Sequence, residues 1–539
     1  MNRLNVLTFL FAGLAAVSPP VSAKEFATEV YLLEQSAWPS MKLGKLDDMR
    51  KRAEVYHHLP EDAEQNYARQ RAFFGLFEVS DPDIAAMAER WVKEEPDSPY
   101  AQTARAASLY GKALRLRGKG SIAQTYPAAL EAAGAYFREA GTHAERAYEL
   151  APDLVVASDY LMSVSAYIGP KQPVKELIAE VMSTVPNRRT LQFAARALSP
   201  RWGGSVEAVM ALCNDHAAQV PNVEGYTVPV CQADLLDDAG LVAGNRADLI
   251  AVISTSEQPF LQRMRINQAL DAGDRSPELQ KRLEAFLADE FETDERLAWA
   301  LDETFYRPAG RPLIKLAVWM RRMGYAWLQL QRDPANADLI SEVLSGPPMP
   351  GPKPPGPTLA KRVEMYVTAL KDNPYNPTMW SMLGTDLRFA LGETVAEPYL
   401  QNAIVYSNHG PNALFQYADL KASVFVNQWR GYASETGGDR DNPEVREGDA
   451  ETLLCPFTRA ARFYALQCAV ERVAASQCQR EFAGQEWTAA VAAVRKAGIC
   501  QKELTGELAD IQFMPHDVDL SKIELPDSAN DLDLPLPLP

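Results

Sequence analysis

Residues Trp380 to Ala403, Trp-Ser-Met-Leu-Gly-Thr-Asp-Leu-Arg-Phe-Ala-Leu-Gly-Glu-Thr-Val-Ala-Glu-Pro-Tyr-Leu-Gln-Asn-Ala, decide how this chain folds. The stretch reads as a helix-turn-helix. Its first half spaces Trp380, Leu383, Gly384 and Leu387 along one helical face, and its second half does the same with Ala396, Leu400 and Ala403. Gly384 is small where the two helices would cross, so their backbones can approach closely. Ala396 and Ala403 flank Leu400 at helical spacing and give the second helix a narrow face that packs.

Outward from this stretch, a Pro followed by Asp or Asn recurs at Pro152, Pro186 and Pro221, at spacings of 34 and 35 residues. Such a Pro closes a helix because it cannot continue the hydrogen-bond ladder. Counting back from each gives Ala140, Ala144 and Ala147, then Val174, Ile178 and Val181, then Val209, Cys213 and His216 as packing faces. Pro96 closes an earlier unit with Ile84, Ala88 and Trp91. The small first-helix position falls on Ala72, Ala128 and Ala197, and on Met162 in the unit between. Pro127 falls inside one expected first helix, and the Trp380 unit has no closing Pro until Pro411. In period and in the seven positions from Trp380 to Ala403, the chain resembles tetratricopeptide (TPR) repeat proteins of an exported bacterial type. The resemblance implies an all-α, TPR-like helix-turn-helix solenoid, and a scaffold that binds partners rather than a catalyst.

A proline-rich run at 346–357, with seven prolines in twelve positions, favours an extended spacer and divides the expected solenoid into two lobes. The expected order is a signal peptide at 1–23, an N-terminal helical lobe at 24–345, the spacer, a C-terminal helical lobe at 358–516 and an acidic Pro/Leu tail at 517–539. The signal reading rests on Arg3, the apolar run Val6 to Val17 and the small-x-small site Val21-Ser22-Ala23. It places the chain outside the cytoplasm, in the periplasm or secreted. The run from Pro312 to Leu330 is apolar but carries Lys315, Arg321 and Arg322, so it reads as a core helix and no transmembrane span is expected. A formal charge of −17 argues against nucleic acid as a partner, since that requires a basic face.

The six cysteines, Cys213, Cys231, Cys455, Cys468, Cys478 and Cys500, suit disulfides in an exported chain. Cys213 and Cys231 flank the turn at Pro221-Asn222 and would clip that hairpin. The other four bracket two expected helices, so Cys468 would meet Cys478 near the turn and Cys455 would meet Cys500 at the open end. Zinc is the alternative for these four, with unfavourable spacing.

Catalytic signatures are missing from the sequence: no His-Glu-x-x-His, no Gly-x-Ser-x-Gly and no phosphate-binding loop. The acidic loop from Asp439 to Glu451 carries oxygen ligands, but Pro443 stands where a calcium loop needs a ligand. No metal or cofactor is expected. The turn Ser199-Pro200-Arg201-Trp202-Gly203-Gly204-Ser205 reads as a helix stop followed by a cap at Ser205. Beside it Arg188, Arg189, Arg196 and Arg201 cluster within a strongly acidic chain. Arginine pairs bidentately with carboxylate, so these four are the candidate contacts for a bound peptide. The same residues could instead pair with neighbouring acids. The functional expectation is an exported scaffold for a protein or peptide segment, such as another envelope protein. The alternative is a carbohydrate- or peptide-acting envelope enzyme using carboxylates from separate helices.

Overall fold

A computed structural model describes residues 23–58, 63–118, 122, 125–169, 174–220, 225–239, 247–255, 261–288, 294–306, 314–344, 357–407, 413, 417, 420 and 515–525. The expected signal at 1–23 (apart from residue 23), the spacer (apart from Pro357), the acidic loop and Cys455, Cys468, Cys478 and Cys500 lie outside these residues.

The fold is all-α. In chain order the helices are α1 (Ala23–Lys42), α2 (Leu46–His57), α3 (Ala63–Gly75), α4 (Pro82–Glu94), α5 (Pro99–Arg117), α6 (Pro127–Leu150), α7 (Val155–Ile168), α8 (Val174–Thr184), α9 (Arg188–Ala197) and α10 (Val206–His216). They continue as α11 (Val228–Asp238), α12 (Ala247–Thr255), α13 (Gln262–Asp271), α14 (Pro277–Leu287), α15 (Glu295–Leu301), α16 (Ile314–Arg332), α17 (Ala337–Leu344), α18 (Leu359–Asp372), α19 (Pro377–Leu391) and α20 (Glu393–Tyr406). No β-strand occurs among the described residues.

Many helices start the same way. A capping residue stands before a Pro whose missing N–H costs nothing at the first helical position. Asp81 accepts from the Asp83 and Ile84 amides ahead of Pro82, Ser98 from Ala101 ahead of Pro99, Ser276 from Leu279 ahead of Pro277, and Asn376 from Met379 ahead of Pro377. Pro127 takes the same first helical position, although Tyr126 before it makes no side-chain cap. It opens α6 rather than interrupting a helix. The expected hairpin between Ala128 and Ala140 is therefore corrected: both lie on one continuous 24-residue helix. Nothing between them stops the ladder, whereas Gly118, at φ 67°, ends α5 before the true turn. Ala140, Ala144 and Ala147 are buried as expected, on the later part of that helix.

By contacts the chain divides into two compact units, each assembled from separate segments. One takes 1–76, 152–159 and 172–321, and the other takes 77–151, 160–171 and 322–539. The division cuts across chain order. In the second unit, α5 reaches residues more than 250 positions away: Lys112 and Arg115 both bind the Asp372 carboxylate, at 2.7 and 2.8 Å, and Asn373 donates to the Arg115 carbonyl.

Within this second unit, α5 packs on α6, α18 on α19, and α19 on α20. The α19–α20 hairpin buries Trp380, Leu383, Gly384, Leu387, Ala396, Leu400 and Ala403. A Cβ on Gly384 would stand 2.8 Å from the Leu400 side chain and 3.2 Å from that of Tyr399, so the crossing is closer than alanine permits without movement. Gly111 on α5 is tighter still, because a Cβ there would fall on the Glu78 carbonyl. In the first unit, α9, α10 and α11 pack together, and Cys213 on α10 is bonded to Cys231 on α11 with Cα atoms 5.7 Å apart. The Ser199–Ser205 turn forms between α9 and α10. Gly203 is left-handed at φ 85°, and Ser205 accepts from the Ala208 amide.

Two outcomes are expected. Gly111→Ala lowers stability by about 1–3 kcal/mol in urea unfolding, although alanine is the better helix former, because the clash is with backbone. The double change Cys213→Ser and Cys231→Ser lowers stability by about 2–4 kcal/mol, the range for a short closed loop.

Candidate functional site

Two places in the described chain gather polar side chains in ways that packing alone does not demand. The first lies on α9, where three of the arginines singled out in the sequence sit. Arg188 is buried, and its Nη1 donates to both oxygens of Asp234 on α11 at 2.9 and 3.0 Å. Gln192 Nε2 and the Tyr226 hydroxyl donate to the same carboxylate, each at 2.9 Å. Burial pushes the Asp234 carboxyl up, and Arg188, Tyr226 and Gln192 pull it back. Arg189 donates to Gln192 Oε1 at 2.7 Å. Arg196 is about half exposed, forks onto Asp238 at 2.6 and 2.7 Å, and lies over the Phe193 ring. Arg201 belongs to the short 3-10 turn Pro200–Trp202. The four arginines thus share one region of chain, and the geometry of three is set by internal partners.

Next to this cluster Asp159, at the start of α7, is fully buried. Neither of its oxygens has a partner at hydrogen-bonding geometry among the described residues. Burial pushes its carboxyl up to about 7, against the opposing pull of the Tyr67 hydroxyl on α3 and of Arg71, Arg189 and Arg196. The Tyr67 phenol is itself driven well above its usual range by burial and by Asp159, so it remains a neutral donor. α3 is fixed against this region by Gln70, which accepts from the Val156 amide at 3.5 Å, and by the edge contact of Tyr67 with Phe193. A carboxyl shut off in this way is about half protonated near pH 7. It cannot touch a substrate while the helices stay packed.

The second place is the face of α20, and sequence analysis missed it. Residues 515–525 form an irregular segment with a short turn at Leu520–Lys522, and His516 near its start meets α20. Asn402, buried on α20, grips one residue of that segment by its backbone: its Nδ2 donates to the His516 carbonyl at 3.0 Å and its Oδ1 accepts from the His516 amide at 2.7 Å. The neighbouring Gln401 Oε1 meets His516 Nε2. Gln401 is itself oriented, its Nε2 donating to Glu397 Oε1 at 3.1 Å and to the Tyr417 hydroxyl at 3.3 Å, while Tyr417 donates to the same Glu397 oxygen at 3.0 Å. At the end of α20, Tyr406 packs with Tyr126, Tyr375 and Trp380 at centroid distances of 5.2, 5.8 and 6.2 Å. Burial first, then Tyr126, Tyr375 and the Asp517 carboxylate, raise the Tyr406 phenol, so it stays protonated beside Asp517.

No group of His, Cys, Asp and Glu suited to a metal ion occurs among the described residues. No described helix is long and apolar enough to cross a membrane. A family model described as a domain of unknown function (DUF4034) matches residues 38–193, a range that takes in Tyr67, Arg71, Asp159, Arg188 and Arg189. No curated protein matches the chain.

The buried acid has a pH signature. Below about pH 4 Asp159 is protonated in both the folded and the unfolded chain and contributes nothing. As pH rises to about 7 the unfolded chain loses that proton and the fold retains it, so stability falls; above 7 the loss is complete and constant. Asp159→Asn should therefore be more stable than the parent by up to about 4 kcal/mol at pH 8, with the gap closing towards pH 4. Urea unfolding of both proteins across that range measures it; a gap independent of pH would assign the effect to packing.

Proposed function

We propose that this chain is an exported, TPR-like helical scaffold that holds an extended segment of a protein partner in the cell envelope, and that it does so without catalysis of its own. The observation that carries the proposal is the Asn402 grip on the His516 backbone. A side-chain amide that donates to the C=O and accepts from the N–H of one residue recognises an extended chain whatever its side chains are. The helices thus present a face already shaped for a polypeptide in extended form. The Cys213–Cys231 bond fits an oxidising compartment outside the cytoplasm.

The arginine region is a second candidate contact within the same proposal. Arg196 is accessible, and a partner carboxylate approaching it competes with Asp238. Arg189 and Arg201 flank it in sequence, while Arg188 acts from inside by fixing α9 to α11.

The test uses the full-length chain with residues 516–519 replaced by proline, which offers Asn402 Oδ1 no N–H, so that the α20 face is open. A fluorescent peptide of residues 512–525 should then bind saturably in an anisotropy titration. Asn402→Ala in the same background should weaken it about tenfold, the worth of one or two net hydrogen bonds, with an unchanged helical circular dichroism spectrum. A peptide that fails to bind the opened chain overturns the proposal.

A further inference from the structure

Resting on that scaffold reading, we propose that the α20 face selects its partner by the side chain of the gripped residue, which must carry a hydrogen-bond donor. The chain's own His516 is the resident example, and a partner segment bearing such a donor takes its place.

That choice is written in Gln401. A primary amide has two N–H donors and one carbonyl acceptor. The Gln401 nitrogen is engaged by Glu397 and Tyr417, at 3.1 and 3.3 Å, so its carbonyl is the atom turned to the segment. That carbonyl meets His516 Nε2, which must carry the hydrogen for the contact to be a bond. A donor of any kind satisfies this position, whether imidazole, amide or amine. A carboxylate there would face an acceptor, with the Glu397 carboxylate immediately behind it, and like polarity at that range is repulsive.

Asn402 adds nothing to this choice, because its hydrogen bonds go to backbone. Grip and choice are thus divided between adjacent residues of one helix. Pro515, just before the gripped residue, has its φ fixed near the extended range and lowers the ordering cost of the segment.

The experiment uses the opened full-length chain described above and a set of 512–525 peptides altered at the position of His516. The substitutions His516→Gln and His516→Lys should bind within about threefold of the parent peptide, and His516→Glu about tenfold or more weakly. Gln401→Lys in the protein, at a partly exposed position, should reverse the order and restore the His516→Glu peptide. Equal binding of the His and Glu peptides to the unaltered face overturns the donor choice while leaving the backbone grip standing. Failure of every peptide to bind overturns the grip as well.

Discussion

Gly384 has no Cβ, and the position of α20 depends on that. Leu400 fills the space a side chain on Gly384 would need, so α19 and α20 pack closely along the faces that bury Trp380, Leu383, Leu387, Ala396 and Ala403. Asn402 is one residue before Ala403. When Ala403 turns inward, Asn402 and Gln401 take their places on adjoining faces of the helix. Behind α19, the turn that starts it is tied by the Trp380 indole, which donates to the Pro374 carbonyl at 2.8 Å, and by Asp372, which binds Lys112 and Arg115. The segment-holding face therefore inherits its rigidity from close packing several residues removed from it.

A second constraint recurs in both units: a buried guanidinium must meet a carboxylate and further donors or acceptors. Arg362 on α18 forks onto Asp386 on α19, with Tyr366 donating to the same carboxylate at 2.9 Å. Arg188, Asp234, Tyr226 and Gln192 repeat that arrangement between α9 and α11. Such networks add little net stability over apolar packing, but removing one member strands the other, so each fixes the register of two helices. Asp159 is the contrast. It is buried with no partner at hydrogen-bonding geometry among the described residues, and burial favours its protonated form.

What the sequence displayed followed from how local its signals were. The Trp380–Ala403 unit was legible because both of its helices and their small crossing residue lie within 24 positions. The Cys213–Cys231 bond was legible because both cysteines flank one turn. The continuous α6 was misread because regular proline spacing suggested a hairpin, while the decisive stop signal, Gly118, lay outside the repeat pattern. The arginines were visible as a cluster, yet nothing local names Asp234 or Asp238 as their partners, 42 to 46 residues away. Asn402 stood inside the best-read stretch and still gave no sign of its role. Its partner is 114 positions further on, and a backbone grip leaves no side-chain complementarity to notice.

The charge balance makes a neutral grip physically apt. The chain carries a formal charge of −17, and the segment held on α20 brings Asp517, Asp519 and Glu524. An acidic segment is repelled by an acidic body at long range, so capture by a basic patch would have to overcome the field of the whole molecule. An amide does not compete with that field. Its hydrogen bonds act at contact distance and are hardly screened by salt, whereas the repulsion is screened within about 10 Å at moderate ionic strength. Salt should therefore favour the docked segment on α20, the reverse of its effect on a contact made through Arg196. The two candidate surfaces are thus distinguished by opposite salt dependence, which follows from the kind of donor each one uses.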